Sequence, residues 1–252
     1  MRRILLNEKY EHLRDFIGQL PARMEDEGTY IYGGRRNLIK LFTAPDGTQL
    51  NVKRYKKPPL LNNIIYSTGL RKPKGLRAYT YPSRLLANRI ETPEAVAYIE
   101  DRQYGLLGYS YFVSIQCPYT HRLYEVGNAP VGTYEDLALA LALFVSRMHE
   151  AGICHQDFSP GNVLWEETET GVYKFSIVDI NRMYFGSVGM KMGCRSFSRL
   201  WGPKEFIRII ATEYACLRGF DEHTCVQLTM KYRARFWKYY QKKRDMEFKL
   251  EI

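Results

Sequence analysis

The chain has 252 residues, 45% hydrophobic and 25% charged, the balance of a globular protein large enough for one sizeable core or two smaller ones. No run approaches the roughly eighteen apolar residues of a membrane-spanning helix, and the apolar stretch after Met1-Arg2-Arg3 is too short for the core of an export signal. A formal net charge of +10 and a pI near 9.3 imply an anionic partner, whether nucleotide, nucleic acid or phospholipid headgroup.

In chain order, residues 7–20 set Tyr10, Leu13, Phe16, Ile17 and Leu20 at near-helical spacing, which predicts an amphipathic leading helix stopped by Pro21. Three strands follow: one over Thr29 to Tyr32, one over Leu38 to Phe42, and one over Gln49 to Tyr55 after an Asp46-Gly47 turn. Gly33 and Gly34 would let backbone amides approach a phosphate closely, with Arg35 and Arg36 adding positive charge; an ordinary hairpin turn would look the same. Pro58, Pro59, Asn62 and Asn63 mark a loop, residues 71–74 a basic linker, and residues 75–88 a helix that Pro82 limits or bends. Strands over Val96 to Ile99 and Leu106 to Ile115 complete a five-stranded lobe, and Ser114 to Pro118 then form a hinge. The five cysteines are odd in number, scattered and free of Cys-x-x-Cys pairs, which argues against a disulfide framework or a zinc site.

The run from Tyr134 to Ala151 is apolar nearly all round and predicts a buried helix ending at Gly152. A tight loop follows, carrying His155, Asp157 and Asn162 in the spacing His-x-Asp-x-x-x-x-Asn. Apolar runs over residues 163–165 and 173–178 form a hairpin that returns Asp179 to the side of Asn162. Phosphoryl transfer needs such a set: a carboxylate to orient the attacking hydroxyl and take its proton, and an amide oxygen and second carboxylate to hold magnesium against the phosphates. Asp, Ser, Pro, Gly and Asn are also common turn residues, so the loop alone has a purely structural reading. The tail, residues 231–244, interleaves Lys and Arg with Tyr232, Phe236, Trp237, Tyr239 and Tyr240, and two readings stand: a helix lying on an anionic bilayer, or one whose aromatics pack on the domain.

The segments 155–162 and 178–182 resemble the protein-kinase-like superfamily, and more closely its lipopolysaccharide kinase family, of the Kdo kinase type. The residues 33–40, 52–55, 92–100 and 110–113 add to the likeness, which covers most of the chain. It implies an α+β, two-lobed protein-kinase-like fold, with a β-rich ATP-binding lobe over residues 1–115 (1–28 its leading helix) and a helical catalytic lobe over 116–252. By the same resemblance, Asp157 and His155 are catalytic, Asn162 and Asp179 hold Mg2+, and Gly33, Gly34, Arg35 and Lys53 contact ATP. Lys40, Lys56 and Lys57 compete with Lys53 for that role. The implied acceptor is a lipid-linked saccharide, with a Kdo or heptose hydroxyl phosphorylated. The setting is cytoplasmic, with peripheral contact to the anionic inner face of the inner membrane, and no nucleic acid is expected. The sequence departs from the kinase pattern at one place: residues 75–89 contain no glutamate to pair with Lys53, and Thr80 stands where it is expected. That absence keeps open a degenerate kinase-fold scaffold, beside an aminoglycoside-type small-molecule kinase disfavoured by the basic charge. The lack of an Ala-Pro-Glu segment argues against a regulated protein kinase.

Overall fold

Period-two alternation in the first half of the chain builds a sheet, and the helical runs of the second half pack on one another. The computed structural model describes residues 1–33 and 37–243, in two units: Met1–Ala87 with Thr92–Pro118, and Asn88–Glu91 with the residues from Tyr119 onward. Gly34, Arg35 and Arg36 lie outside the described residues, as does Arg244 at the end of the basic tail.

In the first unit the elements run β1 (Arg2–Leu6), α1 (Arg14–Arg23), β2 (Thr29–Gly33), β3 (Asn37–Thr43), β4 (Gln49–Tyr55), α2 (Leu60–Ser67), α3 (Lys74–Thr80), α4 (Pro82–Ala87), β5 (Ala95–Gln103) and β6 (Leu106–Ile115). The strands form an antiparallel sheet in the order β1-β5-β6-β4-β3-β2. Val52, Val113 and Ala97 lie in register across β4, β6 and β5 and bury one face against Ile17, Leu20 and Met24. Each of the larger side chains, from valine upward, contributes about 1.5–3 kcal/mol when fully buried. The opposite face carries Lys53, Phe112 and Tyr98 in one row, and α3 packs on this side of β5 and β6. There a Cβ at Gly75 would come within 2.7 Å of the Tyr98 ring and 3.3 Å of Tyr55.

Three expectations are corrected here. The leading segment is not one helix: residues 2–6 add a sixth strand, with Ile4 opposite Ile99, and a 3-10 turn over Glu8–Leu13 precedes α1. Asn7 forces that change, accepting from the Lys9 amide and donating to the Ala95 carbonyl. Pro21 does not stop the helix; it sits in the last turn of α1, where its missing N–H removes a single backbone bond. The loop read at residues 58–63 ends at Pro59, and Asn62 and Asn63 belong to α2, where the Asn63 amide group donates to the Leu107 carbonyl and accepts from the Leu107 N–H. Pro82 does divide the next helix, into α3 and α4.

In the second unit come β7 (His121–Arg122), α5 (Glu135–Glu150), β8 (Ile153–His155), β9 (Val163–Glu169), β10 (Val172–Ile177), β11 (Met183–Phe185), α6 (Met190–Ser196), α7 (Lys204–Leu217) and α8 (Glu222–Gln241). Helix α5 packs on α7, and α8 on both α6 and α7. Gly152 ends α5 at φ 68, and its amide donates to the His149 carbonyl. The tail is docked as a helix: the Trp237 indole donates to the Leu200 carbonyl at 3.2 Å and Arg233 to the Gly202 carbonyl at 3.0 Å, both side chains buried. No helix among the described residues is long and apolar enough to cross a membrane.

His149 on α5 is buried against Tyr214, whose hydroxyl accepts from Arg218 and is hydrogen-bonded to His149 Nδ1 at 2.9 Å. Burial, aided by Arg218, pushes its pKa from 6.5 down to about 3. The unfolded chain therefore takes up this proton well before the folded one, so His149 favours folding above about pH 6.5 and opposes it increasingly as pH falls toward 3. Urea unfolding should show stability falling by about 1.4 kcal/mol per pH unit from this group over that range. His149→Gln should flatten the slope, and an unchanged slope would show that another group carries it.

Candidate active site

The loop between β8 and β9 is held by main-chain and side-chain bonds that its sequence specifies. The β9–β10 hairpin pairs Val163 with Ile177, and the Val178 amide donates to the Asn162 carbonyl at 2.9 Å. This sets Asp179 beside Asn162. On the other side β8 pairs with β11, His155 opposite Met183, and the Gln156 amide donates to the Arg182 carbonyl at 3.0 Å. Asn162 closes the loop on itself, its Nδ2 donating to the Asp157 carbonyl at 2.9 Å. That orientation leaves its Oδ1 turned to the opposite side as an oxygen donor for a cation.

His155 is completely buried and bridges the two segments. Its Nε2 donates to the Val178 carbonyl at 3.0 Å, and its Nδ1 accepts the Asp157 amide at 3.1 Å. A carbonyl can only accept and an amide N–H can only donate, so these partners fix a neutral ring protonated on Nε2. Burial pushes its pKa down, against smaller upward pulls from the Val178 bond and from Asp179 and Asp157. His155 is thus a positioning residue that ties Asp157 to the strand leading into Asp179.

Asp179 adopts the left-handed conformation, φ 54 and ψ 41, which costs a non-glycine residue about 1–2 kcal/mol. Its carboxylate is oriented by a hydrogen bond from the Asn181 amide. Asp157 is one-fifth exposed, and each of its oxygens meets an arginine: Oδ1 meets Arg199 at 2.6 Å and Oδ2 meets Arg182 at 3.2 Å. No motif or spacing pointed to the Arg199 contact.

A carboxylate and a carboxamide brought together at Asp179 and Asn162 suit magnesium, which binds through one or two protein oxygens and completes its shell with phosphates and water. Among the described residues no group of three or more His, Cys, Asp or Glu forms a metal cluster.

The residues expected at the nucleotide phosphates belong to the first unit. Lys53 is nearly buried, 8% exposed, with its ammonium 5.4 Å from the Tyr55 ring. The competing lysines are placed differently: Lys56 and Lys57 are exposed, and Lys40 donates to the Glu25 and Glu27 carbonyls. Gly33 is packed under Tyr30, where a Cβ would lie 2.7 Å from the ring. Helices α3 and α4 carry no carboxylate, and the Thr80 hydroxyl folds back on the Arg77 carbonyl. A buried carboxylate of this unit, Glu100, lies on β5, with its oxygens held by Tyr98 at 2.8 Å and Arg102 at 2.9 Å.

The sequence profile of the lipopolysaccharide kinase (Kdo/WaaP) family matches residues 61–201, more than half of the chain. The chain belongs to this family. It is therefore a phosphotransferase, a kinase of lipopolysaccharide biosynthesis. Among solved structures it is similar to WaaP in complex with acyl carrier protein, at 18% identity over 93% of this chain and 99% of that one, with a TM-score of 0.61. It is also similar to the Rio2 kinase of Chaetomium thermophilum in its ADP/Mg2+-phosphoaspartate complex, at 12% identity over 90% of this chain and 75% of that one, with a TM-score of 0.53. These likenesses establish the α+β protein-kinase-like fold. No curated protein matches the chain by sequence.

Removing the bridge at His155 tests the positioning role. His155→Ala should lower stability by about 1–3 kcal/mol, because it leaves two buried backbone groups without partners. His155→Gln, which keeps a donor and an acceptor, should lose less. Equal urea midpoints for wild type and His155→Ala would contradict the role.

Proposed function

We propose that the chain transfers the γ-phosphoryl group of ATP to a hydroxyl of a Kdo or heptose residue in a lipid-linked lipopolysaccharide core. The observation that carries this reading is the network by which the neutral His155 and Asn162 tie Asp157 to Val178, the residue before Asp179. Asp157 is the proton acceptor. The acceptor oxygen bonds to the γ-phosphorus, its proton passes to Asp157, and the bond to the β,γ-bridging oxygen breaks, leaving ADP with that electron pair. Asn162 and Asp179 hold magnesium, which when bound neutralises charge on the phosphate oxygens. Lys53, Gly33, Gly34 and Arg35 contact the nucleotide phosphates, and the burial of Lys53 favours it over Lys56.

The three roles separate by mutation. Asp157→Asn should keep ATP affinity while turnover falls by about 10² to 10⁴. Asp179→Asn should raise the magnesium requirement and weaken ATP binding together. Lys53→Ala should weaken ATP binding, whereas Lys56→Ala should leave it near the wild-type value. Full activity in folded Asp157→Asn and Asp179→Asn would sink the assignment.

We further propose that the enzyme works at the inner face of the inner membrane through peripheral contact. Lys231, Arg235, Lys238 and Lys242 fall on one side of α8, around a groove they share with Tyr239. All four are exposed, while Trp237 packs inward. On α2, Leu60, Leu61 and Ile64 are exposed, with Arg71 and Lys72 close behind in sequence. Each cation near an anionic surface is worth about 1 kcal/mol. Sedimentation should show binding to vesicles with anionic lipid, weakened by salt and by Lys231→Glu with Lys238→Glu. Equal binding to neutral vesicles would contradict it.

A further inference from the structure

A cavity of about 890 Å³ opens in the second unit beside residues 154–156, at the entry to the catalytic loop. Three arginines line it, Arg195 from α6, Arg199 from the turn after it and Arg235 from α8, and no carboxylate is among the lining residues. Tyr232, Phe236 and Tyr239 supply aromatic faces from α8. Arg195 and Arg235 are exposed, and Arg199 is half-buried with its guanidinium 5.1 Å from the centroid of the Phe236 ring. Three like charges around one cavity repel one another unless an anion joins them. Guanidinium forks fit the paired oxygens of a carboxylate or phosphate, and flat rings fit the apolar face of a sugar.

We infer that this cavity is the acceptor subsite and that it binds an anionic saccharide, one whose carboxylate or phosphate ester sits among the three arginines. This inference rests on the kinase reading above and adds to it a coupling, because Arg199 is shared between the cavity and Asp157, at 2.6 Å from Oδ1. The acceptor's anionic group takes Arg199 from Asp157 as it binds. Oδ1 is then released to receive the proton of the acceptor hydroxyl, while Arg182 stays on Oδ2. With no acceptor bound, Arg199 occupies the proton acceptor, which restrains wasteful transfer of phosphate to water.

The test titrates the full chain by calorimetry with free Kdo as a sugar acid, inorganic phosphate as an anion without a sugar, and glucose as a neutral sugar. Kdo should bind, phosphate should bind more weakly, and glucose should not bind measurably. Arg195→Ala and Arg235→Ala, both at exposed positions, should each weaken Kdo binding by about tenfold or more. Arg199→Ala should weaken it as well and should raise acceptor-independent ATP hydrolysis above wild type. Kdo and glucose binding equally, or Kdo bound by the variants as tightly as by wild type, would overturn the subsite. Hydrolysis unchanged or lowered in folded Arg199→Ala would overturn the coupling. Nucleotide binding measured separately without saccharide decides the kinase reading, so its failure is distinguishable from failure of the cavity.

Discussion

The loop that carries Asp157 and Asn162 depends on one buried imidazole. His155 joins the Asp157 amide to the Val178 carbonyl, so the segment bearing Asp157 and the strand leading to Asp179 cannot move apart without leaving polar groups unsatisfied in the interior. The bridge works only for a neutral ring, because a proton on Nδ1 would face the Asp157 N–H. Burial supplies that neutrality by disfavouring the charged form. The hydrogen bond from the Asn162 side-chain amide to the Asp157 carbonyl and that from the Val178 amide to the Asn162 carbonyl then complete a small network whose links each have a backbone partner. None of these links joins two charged groups, whereas the arginine pairs on Asp157 lie nearer solvent and can be exchanged.

The first unit solves a different problem, that of placing a cation in a largely apolar setting. Lys53 lies on the sheet face opposite α1, in line with Phe112 and Tyr98, and beside Tyr55. Its aliphatic stem is covered there, so its ammonium is confined to fewer directions than those of the exposed Lys56 and Lys57. The absence of a carboxylate from α3 and α4 does not disturb the sheet. The buried Glu100 is committed to Tyr98 and Arg102 and braces β5 instead. Tyr98, in turn, holds its proton more tightly than an exposed phenol because of burial and the neighbouring carboxylate.

Much of the catalytic loop was legible in the sequence because its order is local. The helix to Gly152, the spacing of His155, Asp157 and Asn162, and the hairpin returning Asp179 all lie within one short stretch, where turn chemistry and strand alternation decide the geometry. The leading segment was misread because the strand character of residues 2–6 depends on β5, a partner distant in sequence. Helix α2 was hidden by Pro and Asn residues that usually mark loops, yet Asn63 is held by both backbone groups of Leu107. Arg199 carried no signal, and Arg235 stood out only as one cation of the basic, aromatic tail. Each is one more basic residue in a basic chain until α8 folds over the turn after α6 and brings both to one cavity.

The loop is proposed to transfer phosphate to a saccharide of the lipopolysaccharide core. The most direct measurement of this is transfer of labelled phosphate from ATP with magnesium, offered separately to Kdo-lipid A, an aminoglycoside and a generic protein. Label should enter the lipid-linked saccharide and neither of the others. Label in the aminoglycoside or the protein with none in Kdo-lipid A would contradict the claim, as would no transfer to any of the three.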